Sequence, residues 1–197
     1  MKRESYYKWL FFIVGLCFTS SIISQNDKPL QTDISSKSEV EVNQSMTISQ
    51  YLQFSEDYST FVKVLKKAEL FPHLLIGKEF TVFAPGNSAF SQMPSSVLNQ
   101  IFRPENNLKL KSIAGYHIVN SSLNLEEDLF KFNGTTNIVA MNNEVIEVTI
   151  GPEDALVIQD ANGYPIDVME KIVLSDGVIY RIDAVLLPQV DVKIVSR

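Results

Sequence analysis

The chain has 197 residues, 45% of them apolar, with 17 basic against 23 acidic side chains and a net charge of −6. That is enough apolar material for a core and too much for a disordered chain. The basic residues cluster nowhere, which argues against nucleic acid, whose phosphates need a positive patch, and against a grip on anionic lipid.

The first eight residues carry Lys2, Arg3 and Lys8, and Trp9 to Phe18 is an apolar run followed by Thr19, Ser20 and Ser21. Basic, apolar, then small and polar is the layout of a secretory signal peptide, read here as residues 1–24 and of bacterial type. The run is shorter than the ~20 residues of a membrane span, so no transmembrane span is expected in the mature chain. Cys17 is the one cysteine of the chain. It is read as part of the discarded run, because the bulky Leu16 before it fits poorly with lipoprotein cleavage; a lipid anchor through Cys17 stands as the alternative. Removing residues 1–24, with three basic and one acidic side chain, takes the net charge from −6 to −8 and leaves a chain without disulfides.

Residues 25–45 are polar and rich in Ser, Asn, Gln and Asp, and read as a flexible linker. From 46 the texture changes. Ile48, Tyr51 and Leu52 fall at helical spacing, as do Phe61, Val62, Val64, Leu65, Ala68 and Leu70. Pro72 starts a short helical turn that Gly77 ends. Glu79 to Ala84 is a strand. Pro94 opens a helix through Ile101, and Pro104 a longer one with Leu108, Leu110, Ile113 and Tyr116 on one side. From about Thr135 the period becomes two. Ile146, Val148 and Ile150 alternate with polar residues in a half-buried strand, and Ala155 to Ile158 is another. Asp160-Ala161-Asn162-Gly163 is a turn between strands. Val178, Tyr180 and Ile182 alternate with Arg181 and Asp183 in a last strand, and Pro188 ends the pattern. Helices first and strands afterwards make a segregated α+β domain over 46–190, with 191–197 as a C-terminal tail.

The stretch T-V-F-A-P-G-N-S-A-F at 81–90 is a sharp strand-to-turn-to-helix elbow. It resembles the first signature of the fasciclin (FAS1) domain family, in Thr81, Val82, Phe83, Ala84, Pro85, Asn87 and Phe90. D-G-V-I-Y-R-I-D-A-V-L-L-P at 176–188 resembles the second, in Gly177, Val178, Ile179, Ile182, Asp183, Leu186 and Pro188. Between them Tyr116-His117 matches the Tyr-His pair of the family. The resemblance covers the whole of 46–190. It implies a FAS1-like fold, a β-sandwich or wedge of short strands with several helices packed along one edge. It also implies adhesion or matrix-type binding outside the cell, without catalysis. Four positions depart from the pattern: Gly86 stands where Thr is usual, Ser88 where an acidic residue is frequent, Asp176 for Asn and Tyr180 for a frequent His. Lys171-Ile172 aligns with an Asp-Ile pair linked to integrin binding in animal matrix members, so integrin recognition is not carried over.

Residue chemistry gives little support to an enzyme. Ser88 as a nucleophile needs a base and an orienting group. The chain offers only His73 and His117, without a G-x-S-x-G elbow. Two distant histidines make no zinc site, and Glu126, Glu127 and Asp128 lack the spacing of a calcium loop, so they read as a solvated loop face. Neither metal nor cofactor is expected. Asn-x-Ser/Thr sequons begin at Asn43, Asn120 and Asn133 and would matter only in a host that glycosylates secreted chains. Tyr116 and His117 are read first as structural, since a buried hydroxyl and a helix-end imidazole need local partners, and through the resemblance as candidate contact residues. The expected function is a secreted, periplasmic or cell-surface module that binds an extracellular protein or polysaccharide. The alternative is a carrier of a small apolar ligand, a porphyrin or lipid, between helices and strands.

Overall fold

A computed structural model describes residues 45–189, except Asn133. The expected signal peptide at 1–24 with Cys17, all but the last residue of the expected linker at 25–45, and the expected tail at 191–197 lie outside the described residues. Among the described residues, six helices and seven strands are defined: α1 Ile48–Phe54, α2 Ser59–Lys67, β1 Phe80–Pro85, α3 Asn87–Ser91, α4 Ser95–Ile101, α5 Asn107–Tyr116, β2 Ile118–Val119, α6 Leu125–Lys131, β3 Thr135–Val139, β4 Val145–Ile150, β5 Leu156–Gln159, β6 Pro165–Leu174 and β7 Gly177–Ile182. Short 3-10 turns at Glu56–Tyr58, Phe71–Leu75, Pro104–Asn106 and Pro152–Asp154 connect them.

The strands form one sheet in the order β2-β1-β7-β6-β5-β4-β3. β6 bends it into a wedge. Its first residues pair with β5 and its later residues with β7, and the register slips between Val168 and Glu170. A bulge of that kind bends a strand sharply. Phe83, Val178, Tyr180 and Ile182 from one layer then pack against Ile146, Val148, Ile158 and Ile166 from the other. The far ends nearly meet, since Met141 N–H donates to the Ile118 carbonyl at 2.8 Å. This is a FAS1-like α+β fold.

The two signatures are neighbours. β1 and β7 run parallel in register from Phe80↔Gly177 to Pro85↔Ile182. Parallel strands need a crossover, and here almost the whole domain supplies it. Both strands are covered on both faces. Val82, Ala84 and Ile179 face α1, α2 and α5, whereas Phe83, Val178 and Tyr180 face the wedge interior. The half-exposed alternation expected for Val178 to Asp183 is therefore replaced by an almost wholly buried strand, as parallel strands usually are.

Three further expectations are corrected. Glu126, Glu127 and Asp128 form the first turn of α6, not a loop, and Leu125 and Leu129 on that helix are buried. Acidic residues suit the positive end of a helix. Leu108 is 87% exposed, away from the buried side of α5 that Leu110, Ile113 and Tyr116 share. Ile150, expected to be buried with Ile146 and Val148, is 46% exposed at the strand end.

Candidate functional site

The elbow at 81–90 is built for support. Thr81 is fully buried; its hydroxyl donates to the Ser121 carbonyl at 2.7 Å and accepts from Leu123 N–H at 2.9 Å, fixing the loop before α6 to β1. Asn87 reaches back across the chain. Its carbonyl oxygen accepts from Thr60 N–H at 3.0 Å, and its amide donates to the Glu56 carbonyl at 2.8 Å. It thereby caps α2 from a distant position, satisfying a donor that a helix start leaves open. Asn87→Ala should cost about 1–2 kcal/mol, since both ends of the amide lose a partner. Urea unfolding measures this, and a change below about 0.3 kcal/mol would refute the capping role. Ser88 is exposed. Gly86 is not forced: a Cβ there meets its nearest atoms at 3.6 Å or more, ordinary contact, which leaves room for the Thr usual in the family.

Tyr116 and His117 lie inside the molecule, 0% and 1% exposed. The Tyr116 hydroxyl donates to the Val145 carbonyl at 2.7 Å, joining the end of α5 to β4, and burial pushes its pKa up. His117 Nδ1 lies 2.7 Å from the Ile113 carbonyl, and Leu186 N–H donates to Nε2 at 3.1 Å. Those two partners fix the tautomer: a carbonyl demands a proton on Nδ1 and an N–H demands a lone pair on Nε2. Burial lowers the His117 pKa to about 4, against the smaller opposing effect of the Ile113 carbonyl. Both ring nitrogens are spent on the fold. A partner reaching either side chain would first have to open the α5–β4 or α5–Leu186 contact.

The departures at Tyr180 and Lys171 share one structural role. The Tyr180 hydroxyl accepts from Leu125 N–H at 3.0 Å, at the start of α6, and donates toward the Leu123 carbonyl at 3.2 Å. Its ring stacks on Phe83. Lys171 bonds Glu126 and Asn124, each at 2.7 Å, with its ammonium 5.8 Å from the Tyr180 ring centre. Burial works against the Glu126 carboxylate, but Lys171, the helix backbone and the Tyr180 hydroxyl outweigh it and hold its pKa below the usual value. The position that aligns with the Asp of the animal pair thus holds a lysine that braces α6, and Ile172 beside it is buried.

His73 is exposed in the Phe71–Leu75 turn, and the described residues contain no group of His, Cys, Asp or Glu fit to hold a metal ion. A cleft of about 240 Å³ opens between α4, α5 and the Leu187–Pro188 segment. It falls short of the roughly 300–1,000 Å³ of pockets that enclose drug-sized ligands.

The exposed apolar side chains point elsewhere. Phe130 is 87% and Phe132 61% exposed, at the end of α6, where the chain turns into β3. Gly134, just beyond, bonds to Leu129 and to Ile150, which joins this turn to the partly exposed end of β4. Sequence reasoning missed both phenylalanines because it took this segment for a loop. The Leu125–Leu129 spacing was the available signal: once a helix follows from it, Phe130 falls outside the buried stripe.

Comparison with known proteins agrees with this architecture. The fasciclin domain model matches residues 56–188. Protein sll1483 of the cyanobacterium Synechocystis is 29% identical over 151 residues, covering 77% of this chain and 78% of that protein. Human stabilin-1 is 33% identical over 72% of this chain but only 5% of its own length, and human periostin 28% over 72% and 16%. A FAS1 domain pair from the insect cell adhesion molecule fasciclin I superposes with a TM-score of 0.52 at 24% identity, covering 64% of this chain and 44% of that one. Two signatures paired as the central parallel strands, together with a family match across nearly all the described residues, place this chain in the fasciclin domain family.

Proposed function

We propose that the chain is a non-catalytic extracytoplasmic interaction module that binds a matrix protein, polysaccharide or cell-surface component through its exterior. The domain proper is 46–190, delivered by the signal peptide at 1–24 and held off by the linker at 25–45. One observation carries the reading: Phe130 and Phe132 are both largely exposed, two positions apart at the end of α6. Aromatic side chains are enriched among the residues that anchor binding surfaces. The burial of Tyr116 and His117 supports a bracing role inside the domain over direct contact. The kinship with stabilin-1, periostin and a molecule named for cell adhesion supports an extracellular setting. Among the described residues no helix is long and apolar enough to cross a membrane.

The test is a binding screen of the purified chain against matrix proteins, polysaccharides and intact cells, beside the double variant Phe130→Ser/Phe132→Ser. Exposed positions tolerate such changes, so its Tm should stay within about 2 °C. Binding to whichever partner the screen finds should weaken by about tenfold or more. A partner bound equally well by the folded double variant would remove these residues from the site. Failure to bind anything in the screen would count against the module reading itself.

A further inference from the structure

Among the described residues, nothing pairs with the outer edge of β3. The bonds from Ala140 N–H to the Glu144 carbonyl (2.9 Å) and from Ile150 N–H to the Gly134 carbonyl (3.3 Å) set the phase of the β3–β4 ladder. With the register running from Thr135↔Thr149 to Val139↔Val145, Thr136 and Ile138 turn their backbone groups toward β4. Thr135, Asn137 and Val139 turn theirs away. β3 is the last strand of the sheet, and the side chains of those three residues are exposed. The edge lacks the usual protections, since Thr135–Val139 contains no charge and no proline and pairs with β4 without a bulge.

We infer that this edge accepts an extended peptide segment of a partner protein as an added strand. The inference rests on the module reading above and narrows its partner to a protein that presents such a segment. The size of the opening selects the occupant. Met141 N–H is bonded to Ile118 at one end and Gly134 N–H to Leu129 at the other, each at 2.8 Å. Between them lie only six residues, Thr135 to Ala140, about 17 Å of strand. A second copy of the chain fits badly. Laid antiparallel about Asn137, its own Ile118 would meet the turn before Gly134. A single extended segment has no such obstacle. Charge narrows the occupant further. Glu147 stands beside Asn137 on the next strand, and the chain carries −6 overall. An uncharged, β-branched segment with a basic residue at its flank is therefore favoured. Main-chain bonds supply most of the affinity in this mode, so a generic sequence suffices to detect it.

The probe is a synthetic, end-blocked peptide of alternating Thr and Val with a Lys at each end, added to the purified chain. Amide hydrogen exchange is read residue by residue. In the free protein Thr135, Asn137 and Val139 should exchange fast while Thr136 and Ile138 are protected. Millimolar peptide should slow the first three by about tenfold or more, since each then donates or accepts in a new ladder. Asn137→Pro is the paired variant. The Asn137 N–H is not used within the fold, so a proline there keeps the β3–β4 ladder and the Tm while removing a donor from the edge. It should abolish the slowing.

Three results of the exchange experiment would overturn the inference. The first is no slowing at any soluble peptide concentration. The second is equal slowing in a folded Asn137→Pro variant. The third is protection of Thr135, Asn137 and Val139 in the free protein. Such protection would mean a second copy covers the edge if it depends on concentration, and residues 190–197 of the chain itself if it does not. Binding of a macromolecular partner that survives Asn137→Pro but fails in the Phe130/Phe132 double variant would sink the edge and leave the module reading standing. Peptide docking without any macromolecular partner in the screen would do the reverse.

Discussion

Gly177→Ala should leave the chain without a cooperative fold. Gly177 opens β7 with φ at +140°, a conformation that essentially only glycine adopts. A Cβ built there would lie 1.9 Å from the Phe80 carbonyl oxygen and 2.9 Å from both the carbonyl carbon and the nitrogen of Phe80. These are backbone atoms of β1, so no rotamer change relieves the overlap. Phe80 is also the register partner of Gly177 and donates its N–H to the Asp176 carbonyl at 3.0 Å. The strain must be released by separating β1 from β7, which are the two strands that join the helical half of the core to the wedge. The loss should exceed about 4 kcal/mol, a large part of the total stability of an ordinary domain. The expected observation is aggregation on expression or a loss of near-ultraviolet circular dichroism without a sigmoidal thermal transition. A soluble variant melting within about 5 °C of the parent would disprove it.

Stability should fall as the pH drops from about 6.5 to about 4, and His117 should account for most of that fall. Its pKa is about 4 in the folded chain against an ordinary 6.5. The unfolded chain therefore takes up the proton first, and acid favours unfolding across that window. Above 6.5 the contribution is complete, and below 4 it is gone. The gap corresponds to roughly 3 kcal/mol for a fully buried imidazole. The structural cause is plain: a second proton on Nε2 would point at Leu186 N–H, in a pocket walled by the Phe61 ring. Urea unfolding at half-unit steps between pH 7 and 4 gives the slope. His117→Gln, whose amide can donate to Ile113 and accept from Leu186, should flatten it while staying folded at pH 7. An unchanged slope in that variant would assign the acid sensitivity to carboxylates instead.

Local pattern made some elements legible and hid others for identifiable reasons. Phe61, Val62, Val64 and Leu65 recur at helical spacing, and all are buried in α2. The Asp160–Gly163 turn lies where the dipeptide signals place it, with Gly163 at positive φ. β6 was missed. Ile166, Ile172 and Leu174 face inward, but Met169 and Val173 are exposed on the other side and the register slips between Val168 and Glu170, so no clean period of two survives. β2 has two residues, too few for a periodicity to register, and in α6 the acidic run Glu126–Asp128 masked the Leu125–Leu129 spacing. The candidate site was less legible than the fold. Tyr116-His117 is visible as a motif, yet the burial of both side chains depends on Val145, Ile113 and Leu186, which sit up to 69 positions away.

The sequence by itself determined the class of the protein. Two long signatures in order, an apolar fraction sufficient for a core, and the absence of any nucleophile–base spacing were enough to expect a FAS1-like α+β domain. Those features are local, carried by neighbouring residues whose meaning does not depend on what folds against them. Only the tertiary structure decided which residues are spent on the fold and which are left outside it. Asn87 caps a helix that begins before it in the chain, Tyr180 and Lys171 hold α6 in place, and His117 is buried with both ring nitrogens bonded. Phe130, Phe132 and the β3 edge remain outside because α6 turns only Leu125 and Leu129 inward and β3 is the last strand of the sheet among the described residues. Burial and hydrogen-bond satisfaction are set by contacts between segments distant in the chain, which no single window of sequence contains.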